Sequence, residues 1–136
     1  ARPLRLRSPG VTASRRHTGA LGEELVAREL ERRGWAIVAR NARVAGVRGE
    51  LDIVALDGQD LVVVEVKTCR VGDLGPASPL EQVTYRKRAK LRALAATWAR
   101  TNPPPAPYRG LRIDVVGLRL DADDRVVEWE HVRGAV

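Results

Sequence analysis

The chain has 136 residues, 24 Lys and Arg against 17 Asp and Glu, a net charge of +7, and 44% hydrophobic residues. That is the size of one domain with a core of its own, and no stretch approaches the roughly 20 apolar residues of a membrane span or resembles a signal-peptide core near Ala1. Cys69 is the single cysteine, and His17 and His131 are far apart, which excludes an internal disulfide and a Cys/His zinc cage; the expected location is a reducing cytoplasm.

Residues 1–17 carry Arg2, Arg5, Arg7, Arg15 and Arg16 without hydrophobic periodicity, and read as a flexible basic arm. Residues 18–136 then form one domain. Thr18 reads as an N-cap and Gly34 as a C-terminal stop for a helix over Gly19–Arg33. Strands follow at Trp35–Arg40, Glu50–Leu56 and Leu61–Thr68, the last two joined by the turn Asp57-Gly58-Gln59-Asp60. Val71–Pro79 is a Gly/Pro loop. Leu80–Arg100 is a helix ended by Asn102-Pro103-Pro104-Pro105, and Leu111–Leu118 and Val126–Val132 are strands. This order predicts an α/β fold, a mixed β-sheet flanked by helices. The segment Leu61-Val62-Val63-Val64-Glu65-Val66 is almost wholly apolar, as in a strand buried on both faces.

Strand residues alternate faces, so Glu50, Asp52 and Val54 share one, and Val63, Glu65 and Lys67 share another. If Leu56 pairs with Leu61 across the turn, Asp52 falls opposite Glu65 and Glu50 opposite Lys67, at about 4.5–5.5 Å between Cβ atoms. A tighter turn slides the pairing by two and sets Glu50 against Glu65. Either way, carboxylates crowd one face and repel unless neutralised. A divalent cation does this, and oxygen ligands suit Mg²⁺ or Mn²⁺, held by Asp52 and Glu65. Lys67, two residues from Glu65, projects to the same side, where an ammonium can hold a phosphate or orient a water. The alternative is a cross-strand salt-bridge cluster, against which stands the position of Glu65 inside a valine run, where a charge is costly.

Two helical residues carry charge on an apolar stripe. Glu23 lies three, four and seven residues from Val26, Ala27 and Leu30, so it faces the core and needs a partner there, unless it serves only the helix dipole. Lys87 lies four residues from Val83 and Leu91 on the stripe Leu80, Val83, Leu91, Leu94, Trp98. It either snorkels outward or reaches the acidic cluster or a phosphate. Around it, Arg86, Arg88 and Lys90 point to other sides and are candidate nucleic-acid contacts.

Taken together, Gly19-Ala20-Leu21-Gly22-Glu23, Arg48-Gly49-Glu50-Leu51-Asp52-Ile53-Val54-Ala55 and Val64-Glu65-Val66-Lys67-Thr68 resemble the bacterial YraN family. Val83–Lys87 and Arg112–Val116 resemble its later motifs. The resemblance places the chain beside archaeal Holliday-junction resolvases in the PD-(D/E)XK nuclease superfamily and implies a restriction-endonuclease-like fold. Carried over by residue, it makes Asp52 the motif aspartate that ligates metal, Glu65 and Lys67 the acidic residue and lysine of (D/E)XK, and Glu23 the helical glutamate near the metal. Glu50 and Lys87 are auxiliary. Leu51 stands where the superfamily's proline would be. The expected function is a Mg²⁺- or Mn²⁺-dependent DNA endonuclease acting on duplex or branched DNA, against a non-catalytic nucleic-acid-binding module in repair, recombination or uptake. No membrane partner is expected, and homodimerisation is left open. With three Trp, two Tyr and no Phe, the chain is poor in base-stacking platforms, so backbone contacts are the expected mode.

Overall fold

The computed structural model of the protein describes residues 11–73, 80–103 and 106–136. Its elements are α1 (Val11–Arg32), β1 (Ala36–Val44), β2 (Val47–Asp57), β3 (Asp60–Arg70), a 3₁₀ turn over Leu80–Gln82, α2 (Tyr85–Thr101), β4 (Gly110–Leu120) and β5 (Val126–Val132). The strands form one sheet in the order β1-β2-β3-β4-β5. β3 and β4 run parallel, bridged by α2, and the other neighbouring pairs are antiparallel. This is the α/β architecture expected from the sequence, a mixed sheet flanked by two helices.

β3 lies at the centre because both its faces are apolar. Leu61 and Val63 join Val54, Leu56, Ile113 and Val115 under Leu91, Leu94, Ala95 and Trp98 of α2. Val62, Val64 and Val66 face the other way, with Ile53, Ala55, Val116 and Leu118, and meet Val26, Ala27 and Leu30 of α1. The three layers therefore follow from period-2 alternation in the strands and one apolar stripe per helix.

Three sequence expectations are corrected. The helix begins at Val11, not after Thr18, so residues 11–17 of the expected arm are helical, and residues 1–10 lie outside the described ones. Thr18 is buried inside α1, and its hydroxyl accepts from Arg70 Nε at 3.1 Å, a tertiary partner that outweighs its capping preference. Leu80–Arg100 is not continuous: Thr84 is extended (φ −64°, ψ 160°) and its hydroxyl accepts the Lys87 N–H, which starts α2 at Tyr85. Finally, 41–49 is not a bare connection, since β1 extends to Val44 and turns back through Ala45-Gly46 into β2. Expected features that hold are the Gly34 stop (φ +93°), which ends α1 with the Trp35 N–H on the Leu30 carbonyl, and the strand Val126–Val132. The loop expected at 71–79 falls largely outside the described residues, as do Pro104 and Pro105.

Candidate active site

The β2–β3 hairpin turns at Gly58-Gln59, with Gly58 at φ +59°. Leu56 pairs with Leu61, and the ladder continues to Ile53↔Val64, so the register slipped by two does not occur. Beyond that pair the strands part. In the widening gap the Asp52 carboxylate takes the Val66 N–H at 2.8 Å, where a strand carbonyl would ordinarily sit. Asp52 and Glu65 line one cavity of about 260 Å³ with Gly49, Glu50, Lys87, Lys90, Leu91 and Leu94. The carboxylates expected to converge do so at the open end of the sheet, beneath α2.

Glu65 is buried, with 7% of its side chain exposed. Its Oε1 is approached by Lys67 Nζ at 3.4 Å and by Lys87 Nζ at 3.0 Å. Lys87 thus reaches the acidic cluster from the α2 stripe instead of snorkelling to solvent. Burial draws the Lys67 pKa below its ordinary value, with the neighbouring Lys87 acting the same way and Glu65 opposing. At Lys87 burial also pulls down, but Lys67, Glu65 and Asp52 together outweigh it and leave the pKa raised.

Glu23 comes from α1, which packs on the other face of the sheet, and its carboxyl meets that of Asp52. Burial raises its pKa; a side-chain hydrogen bond with Asp52 and the charge of Arg40 oppose this, and Glu50 and Glu65 reinforce it. Two carboxyls can share a hydrogen bond only if one is protonated. Asp52 is that one: burial, then Glu65, and more weakly Glu23 push its pKa up to about 8, against the lowering effect of the Val66 N–H and Lys67. Neither Glu23 nor Lys67 lines the cavity itself; they meet Asp52 and Glu65 respectively from outside it. Glu50 does line it, but its ion pair is with Arg43 at 3.2 Å, not with Lys67.

The arrangement fits a hard divalent cation. The donors are all oxygens, and without a cation the cluster must hold a proton on Asp52 to relieve its own repulsion. Among the described residues no three His, Cys, Asp or Glu side chains form a ready cage. Asp52 and Glu65 would therefore hold the ion with water completing its shell, a mode Mg²⁺ ordinarily accepts.

Of the expected nucleic-acid contacts, Arg86 is exposed at the start of α2. Arg88 is half-buried and donates to the Val83 carbonyl at 3.0 Å, which ties it to the helix entrance and not to an outward face. Lys90 is exposed and borders the cavity. Arg112 and Asp114, from the last resembling motif, lie apart from the cavity: Asp114 is fully buried and bonded to Arg112, His131 and the Gly134 N–H.

Asn41 was not singled out from the sequence. It stands in the left-handed region (φ +49°) between the pairs Arg40↔Ile53 and Ala42↔Leu51, hence opposite Asp52. With its amide turned to donate, Nδ2 lies 3.1 Å from Glu23 Oε2 and 3.2 Å from Glu50 Oε1. The available signal was an Asn within an apolar strand pattern, a residue that tolerates φ > 0. Gly22 also has a structural reason: a Cβ there would overlap Thr68 Oγ1 on β3, so glycine lets α1 lie close beside the strand that bears Glu65 and Lys67.

An α/β domain with a buried carboxylate–lysine cluster where two central strands part is the class that this fold and site define. The chain belongs to the family described as "Uncharacterised protein family UPF0102", which matches residues 22–118 and is the family that the YraN resemblance indicated. It is similar to the UPF0102 protein of Acidothermus cellulolyticus, at 43% identity over 93% of this chain and 98% of the relative. The corresponding protein of Paenarthrobacter aurescens is 47% identical over 85% and 90%. A solved structure, an FdxN element excision controlling factor protein from Anabaena variabilis, is similar at 18% identity and a TM-score of 0.44, over 81% of this chain and 98% of that one. No helix among the described residues is long and apolar enough to cross a membrane.

Proposed function

We propose that the protein is a divalent-cation-dependent DNA endonuclease of the restriction-endonuclease-like kind. The observation that carries this reading is the pairing of Asp52 and Glu65 at one cavity, with Asp52 driven up to about 8 by burial and by neighbouring acids. A carboxylate in a cleft that is strongly perturbed by burial and by specific charged neighbours is a functional-site candidate. A bound Mg²⁺ or Mn²⁺ would polarise the phosphoryl oxygen and ease deprotonation of water.

The protein's own groups divide the remaining work. Asp52 and Glu65 hold the cation. The Val66 N–H fixes Asp52 from one side, and Glu23, steadied by Asn41, supports it from the α1 side. Lys87 keeps the Glu65 carboxylate oriented. Lys67, beside Glu65, helps to orient the attacking water and offers its ammonium to the charge that develops on the phosphoryl group, while the water's proton passes to solvent. Water adds to phosphorus and one P–O ester bond breaks, leaving a phosphomonoester on one side and a hydroxyl, protonated from solvent, on the other.

A second reading has its own observation. Two ammonium groups already face Glu65 Oε1, so half the cluster is neutralised without metal, as in a nucleic-acid-binding module that does not cut. Linear, nicked and branched DNAs incubated with the full chain, in Mn²⁺ and in chelator, separate the two. The nuclease reading expects Mn²⁺-dependent cleavage that Asp52→Asn, Glu65→Gln and Lys67→Ala each reduce by about 10²–10³, with circular dichroism unchanged. Cleavage unaffected by Lys67→Ala removes that lysine from the mechanism; tight DNA binding with no cleavage in any cation supports the second reading.

A further inference from the structure

Three ammonium groups, those of Lys87 and Lys90 at the cavity and that of Lys67 on Glu65, lie around the acidic cluster, and they are not equivalent. Those of Lys67 and Lys87 are both directed at Glu65 Oε1. Lys90 lines the same cavity, yet no acidic side chain among the described residues engages it. Its end lies over Gly49: a Cβ on that residue would stand 3.3 Å from Lys90 Cε, 3.5 Å from Nζ and 3.6 Å from Leu94 Cδ2. Gly49 is at φ +114°, where side chains are strained, so the backbone of β2 offers Lys90 a bare surface to lie across.

A cation beside an acidic cluster would be expected to pair with the nearest carboxylate. Lys90 does not, although Glu50 and Asp52 share its cavity. Its ammonium stands at the exposed rim of the cavity, with its three donors open to a ligand from solvent. The adjoining wall, Leu91 and Leu94, is apolar. A strand of nucleic acid presents this pairing in repeat: an anionic phosphate, then a sugar with an apolar face.

We propose that Lys90, lying across Gly49, forms a second phosphate subsite. It binds the backbone phosphate next to the one at the carboxylates, with the intervening sugar against Leu91 and Leu94. This rests on the reading of the cavity as the place where a nucleic-acid strand binds. It makes Lys90 a positioning residue and the substrate one that extends at least one phosphate beyond the bond cut. Gly49 lets the end of Lys90 lie close across the β2 backbone; a methyl there would crowd Lys90 Cε at 3.3 Å and shift it slightly.

The probe is thymidine 3′,5′-bisphosphate, compared with thymidine 5′-monophosphate, titrated into the full chain in chelator and followed by amide NMR shifts. The bisphosphate is expected to shift the Gly49 and Lys90 amides and to bind about tenfold or more tightly than the monophosphate, the scale of one charge-assisted contact. Lys90→Ala should abolish that advantage and Lys90→Arg should retain most of it. Arg100→Ala, which removes an exposed cation at the far end of α2, should leave it intact. Gly49→Ala should reduce that advantage by less than Lys90→Ala does; if it fails to fold, the Lys90 variants decide alone. Equal losses in Lys90→Ala and Arg100→Ala, or a bisphosphate that shifts other amides only, overturn the subsite. In cleavage, Lys90→Ala should raise KM for DNA about tenfold with kcat retained. Bisphosphate binding at Gly49 and Lys90 without cleavage upholds the subsite and defeats the nuclease. Cleavage with Lys90→Ala kinetics like wild type upholds the nuclease and defeats the subsite.

Discussion

Asp52, where β2 leaves β3, and Asp114, in the middle of β4, are both carboxylates drawn into the body of one sheet, yet their surroundings differ in kind. Asp114 has a donor on every side. Arg112 approaches both its oxygens, at 2.8 and 3.1 Å, His131 Nε2 lies 2.8 Å from Oδ2, and the Gly134 N–H reaches Oδ1 at 2.9 Å. Burial alone would raise its pKa, but His131, Arg112 and Gly134 outweigh it and hold the carboxylate below its ordinary value. Asp52 has a single backbone donor and two acidic neighbours, and is pushed up to about 8. The first cluster is complete and ties the C-terminal residues to β4, with the Ala135 N–H on the Ile113 carbonyl. In the second, the two lysines are spent on Glu65 and no ammonium pairs with Asp52 among the described residues. Burial of a carboxylate is therefore not what marks a site; the shortage of compensating donors is.

The largest expected effect that tests this contrast is on stability. Asp114→Ala should destabilise the fold by about 3–5 kcal/mol, because it strands Arg112 and His131 around an empty position. Asp52→Asn should cost little or stabilise at pH 8, while abolishing Mn²⁺ binding. Denaturant unfolding and isothermal titration of both variants provide the check. Equal destabilisation by the two would erase the distinction.

pH should separate them with opposite signs. Asp52 titrates near 8 when folded, against an ordinary 3.8, so the folded state holds a proton that the unfolded chain has released. Its contribution is full below about pH 4 and is lost as pH rises towards 8, with a slope of at most about 1.4 kcal/mol per pH unit. Asp114 contributes the reverse: its stabilisation is present above the ordinary carboxylate range and is lost as pH falls through its lowered folded value. Melting curves in chelator from pH 4 to 8 should show the Asp52 decline, Mn²⁺ should offset it most at pH 8, and Asp52→Asn should lack it. A decline that persists in Asp52→Asn would assign it to another group.

A smaller effect tests whether the helix must lie this close to the site. Gly22→Ala places a methyl against Thr68, so α1 or β3 must shift, at about 1–3 kcal/mol. Because β3 carries Glu65 and Lys67, cleavage should fall further than stability alone explains. Gly19→Ala, three residues earlier in α1 with open space around it, is the control and should be neutral or slightly stabilising. The smallest effect is at the surface: Arg28→Ala breaks an exposed pair with Glu24 and should change stability by less than about 0.5 kcal/mol.

Much of this was local enough to read from the sequence. Period-2 alternation and a four-residue turn set the Leu56–Leu61 register, and from it followed the meeting of Asp52 with Glu65. The period of 3.6 put Glu23 and Lys87 on buried stripes, and both reach the acidic cluster. What periodicity cannot carry is where a ladder stops or which distant group arrives. The β2–β3 pairing ends after Ile53↔Val64, the Asp52 carboxylate takes the Val66 N–H at that end, and Glu23 reaches Asp52 from α1 in another layer. The approach of Lys90 to the β2 backbone is made over Gly49, 41 positions earlier, which has no side chain. The separation of Asp114 from the site depends on Arg112 and His131 closing around it on β4 and β5. The sequence determined the layers and the acidic hairpin, because alternation along a chain decides which side chains share a face. Only the tertiary structure decided which buried charges are compensated, because the compensating groups come from elements remote in the chain and meet only when the sheet is built.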